Sequence, residues 1–142
     1  MIYTKLTKKA MIIAYNAHMN QFDKAGVPYI FHPIHLAEQM DTEAECAAAL
    51  LHDVAEDTDI TLEELAEDFP EEVMDALRLL TRKKGEDYME YVKRIKVNQI
   101  AVKVKIADLK HNSCISRIET VTEKDRERIK KYEEALELLQ ED

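Results

Sequence analysis

The chain has no tryptophan, two glycines, three prolines and two cysteines in 142 residues. Glycine and proline punctuate strands and tight turns, so their scarcity argues against an all-β sandwich and against a glycine-rich nucleotide-binding α/β fold. Cys46 and Cys114 are too few for a disulfide framework and lie in helix-like sequence, which predicts reduced thiols and a cytoplasmic setting. No apolar run approaches the roughly 20 residues of a membrane span. The opening MIYTKLTKKAMIIAYNAH carries lysines but no long apolar stretch and no small-residue cleavage site. Positive charge is short as well: 20 Lys and Arg stand against 29 Asp and Glu, a net charge of −9. A broad nucleic-acid-binding face runs against that field. A small anionic substrate is compatible with it if a metal or a local basic cluster offsets the repulsion.

What is present favours helices. The sequence is 46% hydrophobic and 35% charged, a globular balance, and Ala, Leu, Glu and Lys, all strong helix formers, dominate it. One all-α domain over 1–142 is expected, a bundle of about seven to eight helices. Thr4 caps a first helix over about 5–22, with Leu6, Ala10, Ile13, Ala14 and Ala17 at helical spacing. Pro33, at the first helical position, opens a short helix to about 40. Thr42-Glu43-Ala44-Glu45 and Thr61-Leu62-Glu63-Glu64 are capping boxes that start two more. Further helices are expected over 70–81, 87–97, 99–112 and 123–140. Residues 100–106 alternate like a strand, but the segment is assigned to the helix. Met11, Met19, Met40, Met74 and Met89 read as core or helix filler, His111 as solvent-facing, and Arg82-Lys83-Lys84 as a solvated basic loop.

The chemistry concentrates in Leu50-Leu51-His52-Asp53-Val54-Ala55-Glu56-Asp57-Thr58. Four ionisable residues follow the most apolar helix of the chain, and helical spacing groups His52, Asp53, Glu56 and Asp57 on one side of two turns. Burial of such a cluster calls for a cation; a polar helix end open to water is the alternative. His32 and Asp108 lie near other predicted helix ends. With His52 and Asp53 they form a mixed nitrogen and oxygen donor set that suits a transition metal. Taken singly, His32 reads equally as a helix cap and Asp108 as a surface aspartate, and spacing does not bring the four together.

The order His, His-Asp, Asp in an all-helical chain resembles the HD-domain metal-dependent phosphohydrolases. The likeness extends to longer strings: His18-x-x-Gln21; Lys24-x-Gly26-x-Pro28-Tyr29-Ile30-x-His32-Pro33; Ala48-x-Leu50-Leu51-His52-Asp53-Val54-x-Glu56-Asp57-Thr58; and Lys105-x-Ala107-Asp108-x-x-x-Asn112. These resemble the hydrolase domain of RelA/SpoT-type proteins, which removes pyrophosphate from the 3′ position of (p)ppGpp. The resemblance covers roughly residues 4–112 and implies a small, hydrolase-only member. It implies Mn2+ held by His32, His52, Asp53 and Asp108, with Glu56 and Asp57 as the catalytic carboxylate pair. Lys24 and Asn112 are implied near the nucleotide and its phosphates.

Three positions depart from that pattern. Asp23-Lys24 stands where larger members have Arg-Lys, Leu109-Lys110 exchanges a basic and an apolar residue, and Ile115 replaces a small polar residue. The ligand and carboxylate positions are intact while those around the base are altered. Two other readings therefore stay open: an HD phosphomonoesterase acting on another nucleotide or phosphorylated cofactor, and a non-catalytic metal or nucleotide sensor. A small-molecule nucleotide is the expected partner, with no nucleic acid or membrane, and nothing in the sequence indicates an oligomer.

Overall fold

The computed structural model describes residues 1–114, 116 and 118–141, and among them nine helices follow one another. They are α1 (Lys5–Ala17), α2 (Phe31–Ala37), α3 (Glu43–Leu51), α4 (Val54–Asp57), α5 (Leu62–Ala66), α6 (Glu71–Leu80), α7 (Tyr88–Ile95), α8 (Gln99–Asn112) and α9 (Glu123–Gln140). The all-α expectation holds, and the ninth helix arises because the third segment breaks at His52-Asp53. Ile115 lies outside the described residues. Among the described residues no helix is long and apolar enough to cross a membrane.

Local sequence sets the helix starts. Thr4, Thr42, Thr61 and Thr122 each form a capping box with the residue three places on, satisfying backbone N–H groups that the first turn leaves without partners. The first helix ends at Ala17 instead of continuing to 22, because Asn20 turns the chain with a left-handed φ of 69°. Gly26, at φ 82°, then helps fold the loop back so that Phe22 and Pro28 form an isolated antiparallel bridge. Pro33 falls at the third helical position, not the first, still inside the turn where a missing N–H costs nothing.

The core is built around α3, whose Ala44 and every residue of Cys46–Leu51 are buried. Its run of Ala47, Ala48 and Ala49 allows α1, α2, α6 and α8 to pack against it from several sides. The strand-like alternation in α8 has a helical explanation. Lys103 reaches Glu45 and Asp41, while Lys105 turns inward to Asp108, so both lysines are paired on different sides of a mostly enclosed helix. α9 lies across α7 and α8 through Tyr132, Ala135, Leu136 and Leu139. Met40 and Met74 are buried, but Met19 is 53% exposed at the turn after α1 and is not core.

Candidate metal centre and active site

Four helical segments deliver one cluster. His32 comes from the first turn of α2, His52 and Asp53 from the break between α3 and α4, and Asp108 from α8. One donor atom from each lies within 4.8 Å of all the others. Three of the side chains are almost fully buried and Asp53 is half-buried. The break explains why neighbours in sequence share a centre. Adjacent residues of a continuous helix point well apart; Asp53, at φ −108° and ψ 0°, leaves helical geometry and lets both side chains turn to the same point.

The imidazoles are oriented from behind. His52 Nδ1 donates to the Ala49 carbonyl at 2.6 Å, which fixes the ring with Nε2 turned toward the cluster. That buried Nε2 lies 2.9 Å from Asp53 Oδ2 and 3.5 Å from Asp108 Oδ1, yet has no hydrogen bond of acceptable geometry. His32 places Nδ1 2.7 Å from His111 Nδ1 and Nε2 2.8 Å from Asp108 Oδ1. His111 is therefore not solvent-facing as expected; its ring stacks 5.0 Å from that of His32. The Tyr29 hydroxyl donates to Asp53, and Lys105 and Asn112 donate to Asp108 at 2.9 and 3.0 Å. Burial pulls the His52 imidazole down, but Asp53 and Asp108 outweigh it and hold its pKa well above the usual value. Burial likewise raises Asp108, and the Lys105 ammonium with the two imidazoles reverses this to leave it well below the carboxylate range. The cluster thus demands positive charge, and two imidazole nitrogens with two carboxylates fit a divalent transition ion.

Glu56 and Asp57 sit on the single turn of α4. Glu56 accepts from the Arg82 backbone N–H and shares a cleft with Asp53 and Asp108. Burial, partly offset by that N–H, raises its pKa. Burial and the nearby Asp53 and Glu56 charges push Asp57 up to about 6. The main chain at Asp57 is tied to the end of α1: His18 Nδ1 lies 2.9 Å from Gln21 Oε1, and Gln21 donates to the Asp57 carbonyl at 3.0 Å. His18 therefore holds a structural hydrogen bond.

One cleft opens onto this cluster and a second adjoins it. The first, about 190 Å³, is lined by Asp53, Glu56 and Asp108 with Arg82, Tyr88 and Lys105. The other, about 290 Å³, is lined by Lys24, Asn112, Arg128 and Tyr132 among others. Tyr29, Asn112 and Tyr132 border both. Asn112 thus borders the cluster through Asp108, and Lys24 lines the cleft next to it. Asp23 spends one carboxylate oxygen on the Ala25 and Val27 N–H groups, so it builds the loop that carries Lys24. Sequence reasoning assigned no site role to Tyr29, Tyr88, Lys105 or Arg128, and took Arg82 for part of a solvated loop. Lys105 had a visible signal: a lysine inside an apolar segment needs a partner, and Asp108 follows at i+3. A larger cavity of about 600 Å³ opens away from the cluster between the N-terminus, α1 and α2, with mostly apolar walls.

A helical bundle that brings His, His-Asp and Asp to one point defines a class, and the sequence pattern of the HD domain matches residues 10–106. The chain belongs to the HD-domain family. Among its relatives is the guanosine-3′,5′-bis(diphosphate) 3′-pyrophosphohydrolase of Haemophilus influenzae, 37% identical over 117 residues, which are 71% of this chain and 17% of that protein. The protein of the same name from Borreliella burgdorferi is 42% identical over 79 residues, 52% of this chain and 12% of that one. The chain therefore spans less than a fifth of the length of either. A solved structure of a metazoan ortholog of SpoT that hydrolyses ppGpp superposes with a TM-score of 0.79, covering 99% of this chain and 88% of that one at 23% identity. The fold is shared with that protein.

Proposed function

We propose that the chain is a metal-dependent phosphohydrolase that removes pyrophosphate from the 3′ position of (p)ppGpp. The observation that carries this reading is the convergence of His32, His52, Asp53 and Asp108 within 4.8 Å, with Glu56 lining the same cleft. In this reading those four residues hold the ion. Mn2+ suits the mixed imidazole and carboxylate set, and a divalent ion there would supply electrophilic activation of the phosphoryl group and of water. The names of the bacterial relatives support the substrate.

The chain's own residues supply the remaining chemistry. Water attacks the 3′ phosphorus, the bond from phosphorus to O3′ breaks, and one proton must leave the water while another reaches O3′. Glu56 and Asp57 flank the cluster on one turn and carry out this exchange; the pKa of each is raised, that of Asp57 to about 6, which favours groups that both take and return protons. Glu56 is oriented for it by the Arg82 N–H. Lys24 and Asn112 bind the nucleotide in the adjoining cleft. The reduced thiols and nucleotide substrate fit a cytoplasmic setting. The test is an assay of Mn2+-loaded protein on a nucleotide panel that separates pyrophosphate from phosphate release. Pyrophosphate from ppGpp supports the reading; phosphate release from monophosphates alone would replace it with the phosphomonoesterase.

A further inference from the structure

Beside the cluster, Tyr88 is ringed by cations. Lys131 Nζ lies 4.3 Å from its ring centroid, the Arg82 guanidinium 5.4 Å and Lys105 Nζ 5.9 Å. The Tyr88 hydroxyl is buried and has no hydrogen-bond partner. Its ring lines the same cleft as Asp53, Glu56 and Asp108. Three like charges around one ring repel each other. Lys105 answers Asp108 at 2.9 Å and Arg82 donates to the Glu86 carbonyl, but Lys131 has no ion pair among the described residues. Three cations gathered at one ring, one of them without an ion pair, beside an unpartnered hydroxyl are the chemistry of an anion site.

We propose that Tyr88, Arg82, Lys105 and Lys131 form a subsite for the second phosphate of the leaving pyrophosphate. The proposal rests on the hydrolytic reading above and deepens it by fixing what adjoins the scissile phosphate. Lys105 links the two places, with its ammonium on Asp108 and its other side toward the Tyr88 ring. A phosphate held by these cations in the shared cleft is therefore next to one held at the His and Asp cluster. Charge balance points the same way. Asp53, Glu56, Asp57 and Asp108 outweigh a divalent ion, so a phosphate group would meet net repulsion without these three cations. A monoester offers these cations no second phosphate; a pyrophosphate does.

The test is calorimetric binding of inorganic pyrophosphate, inorganic phosphate and GDP to the full chain, with and without Mn2+. It compares wild type with Tyr88→Phe and Lys131→Gln, neither of which touches the metal cluster. The expected result is that wild type prefers pyrophosphate to phosphate by about 10-fold or more. Each substitution should weaken pyrophosphate about 10-fold, as loss of a charge-assisted contact does, with phosphate and GDP unchanged. Equal affinity for pyrophosphate and phosphate in wild type, or variants that leave pyrophosphate unchanged, would overturn the subsite. Weakening of GDP in place of pyrophosphate would assign these residues to the 5′-diphosphate and equally overturn it. Because the readout is binding, failure of the hydrolytic reading shows separately, as ppGpp left uncleaved by a protein that still discriminates pyrophosphate.

Discussion

Asp57 carries its charge at a cost, because burial and two neighbouring carboxylates disfavour the ionised form and push its pKa up to about 6. The ordinary value is 3.8, so folding favours the protonated acid. The associated stability is fully present below pH 3.8 and is lost as pH rises through about 6. In metal-free protein, Asp57→Asn should therefore raise the urea midpoint at pH 7.5 and leave it unchanged at pH 3.5; an equal shift at both values would mean that the charge is not the cause. On activity the pair acts in the opposite direction. Glu56→Ala or Asp57→Ala should leave the ion bound, by calorimetry, and lower turnover by roughly 10²–10⁴-fold, the usual worth of a positioned acid or base. Near-normal rates in both variants would make the pair structural. His52, Asp53, Glu56 and Asp57 stood out in the sequence because ionisable residues directly after an apolar helix call for a partner, whereas the resemblance was needed to join His32 and Asp108 to them. His111 was misjudged, and the turn that Asp23 holds went unseen, because a ring stacked behind His32 and a turn held by backbone N–H groups exist only once the loop and α2 are in place.

At the scale of elements, two devices set the geometry. The first is the small-residue run of α3, where Ala48 is fully buried amid the packed helices. Ala48→Leu adds three carbons with nowhere to go and should cost about 1–3 kcal/mol, read as a lowered urea midpoint; an unchanged midpoint would mean that the core holds unseen space. The second device is Arg94 of α7. It donates to the Leu79 and Thr81 carbonyls at 3.2 and 3.0 Å and clasps Glu86 with Nε and Nη2. The segment so fixed carries Arg82, whose N–H holds Glu56. Arg94→Ala should therefore lower both stability and turnover, while Arg94→Lys, which keeps the charge but loses the fork, should restore little of either. Turnover unchanged in both variants would show that Glu56 does not depend on this loop. The sequence disclosed the helix starts, since capping boxes are local. It did not disclose the break at His52-Asp53, because nothing in Leu-Leu-His-Asp-Val opposes a continuous helix; the site requires it and tertiary packing sustains it.

Across the molecule, helices distant in sequence must meet for the cluster to exist: α2, the break after α3, and α8. The order of residues along the chain signalled this only through resemblance, since spacing says nothing of contact between residues 76 apart, as His32 and Asp108 are. An ion bound at their junction should stabilise the fold as a whole. At 100 times its dissociation constant, Mn2+ should add about 2.7 kcal/mol to the unfolding free energy, seen as a higher Tm that Asp53→Ala abolishes. A Tm that Mn2+ raises equally in Asp53→Ala would place the ion elsewhere. The claim that joins all three scales is that this junction cleaves a 3′ pyrophosphate. Its most direct measurement is 31P NMR of ppGpp turnover by the Mn2+-loaded protein, beside Asp53→Ala. The account predicts GDP and pyrophosphate in equal amounts from wild type and neither from the variant; orthophosphate as the sole inorganic product, or undiminished turnover by Asp53→Ala, would contradict it.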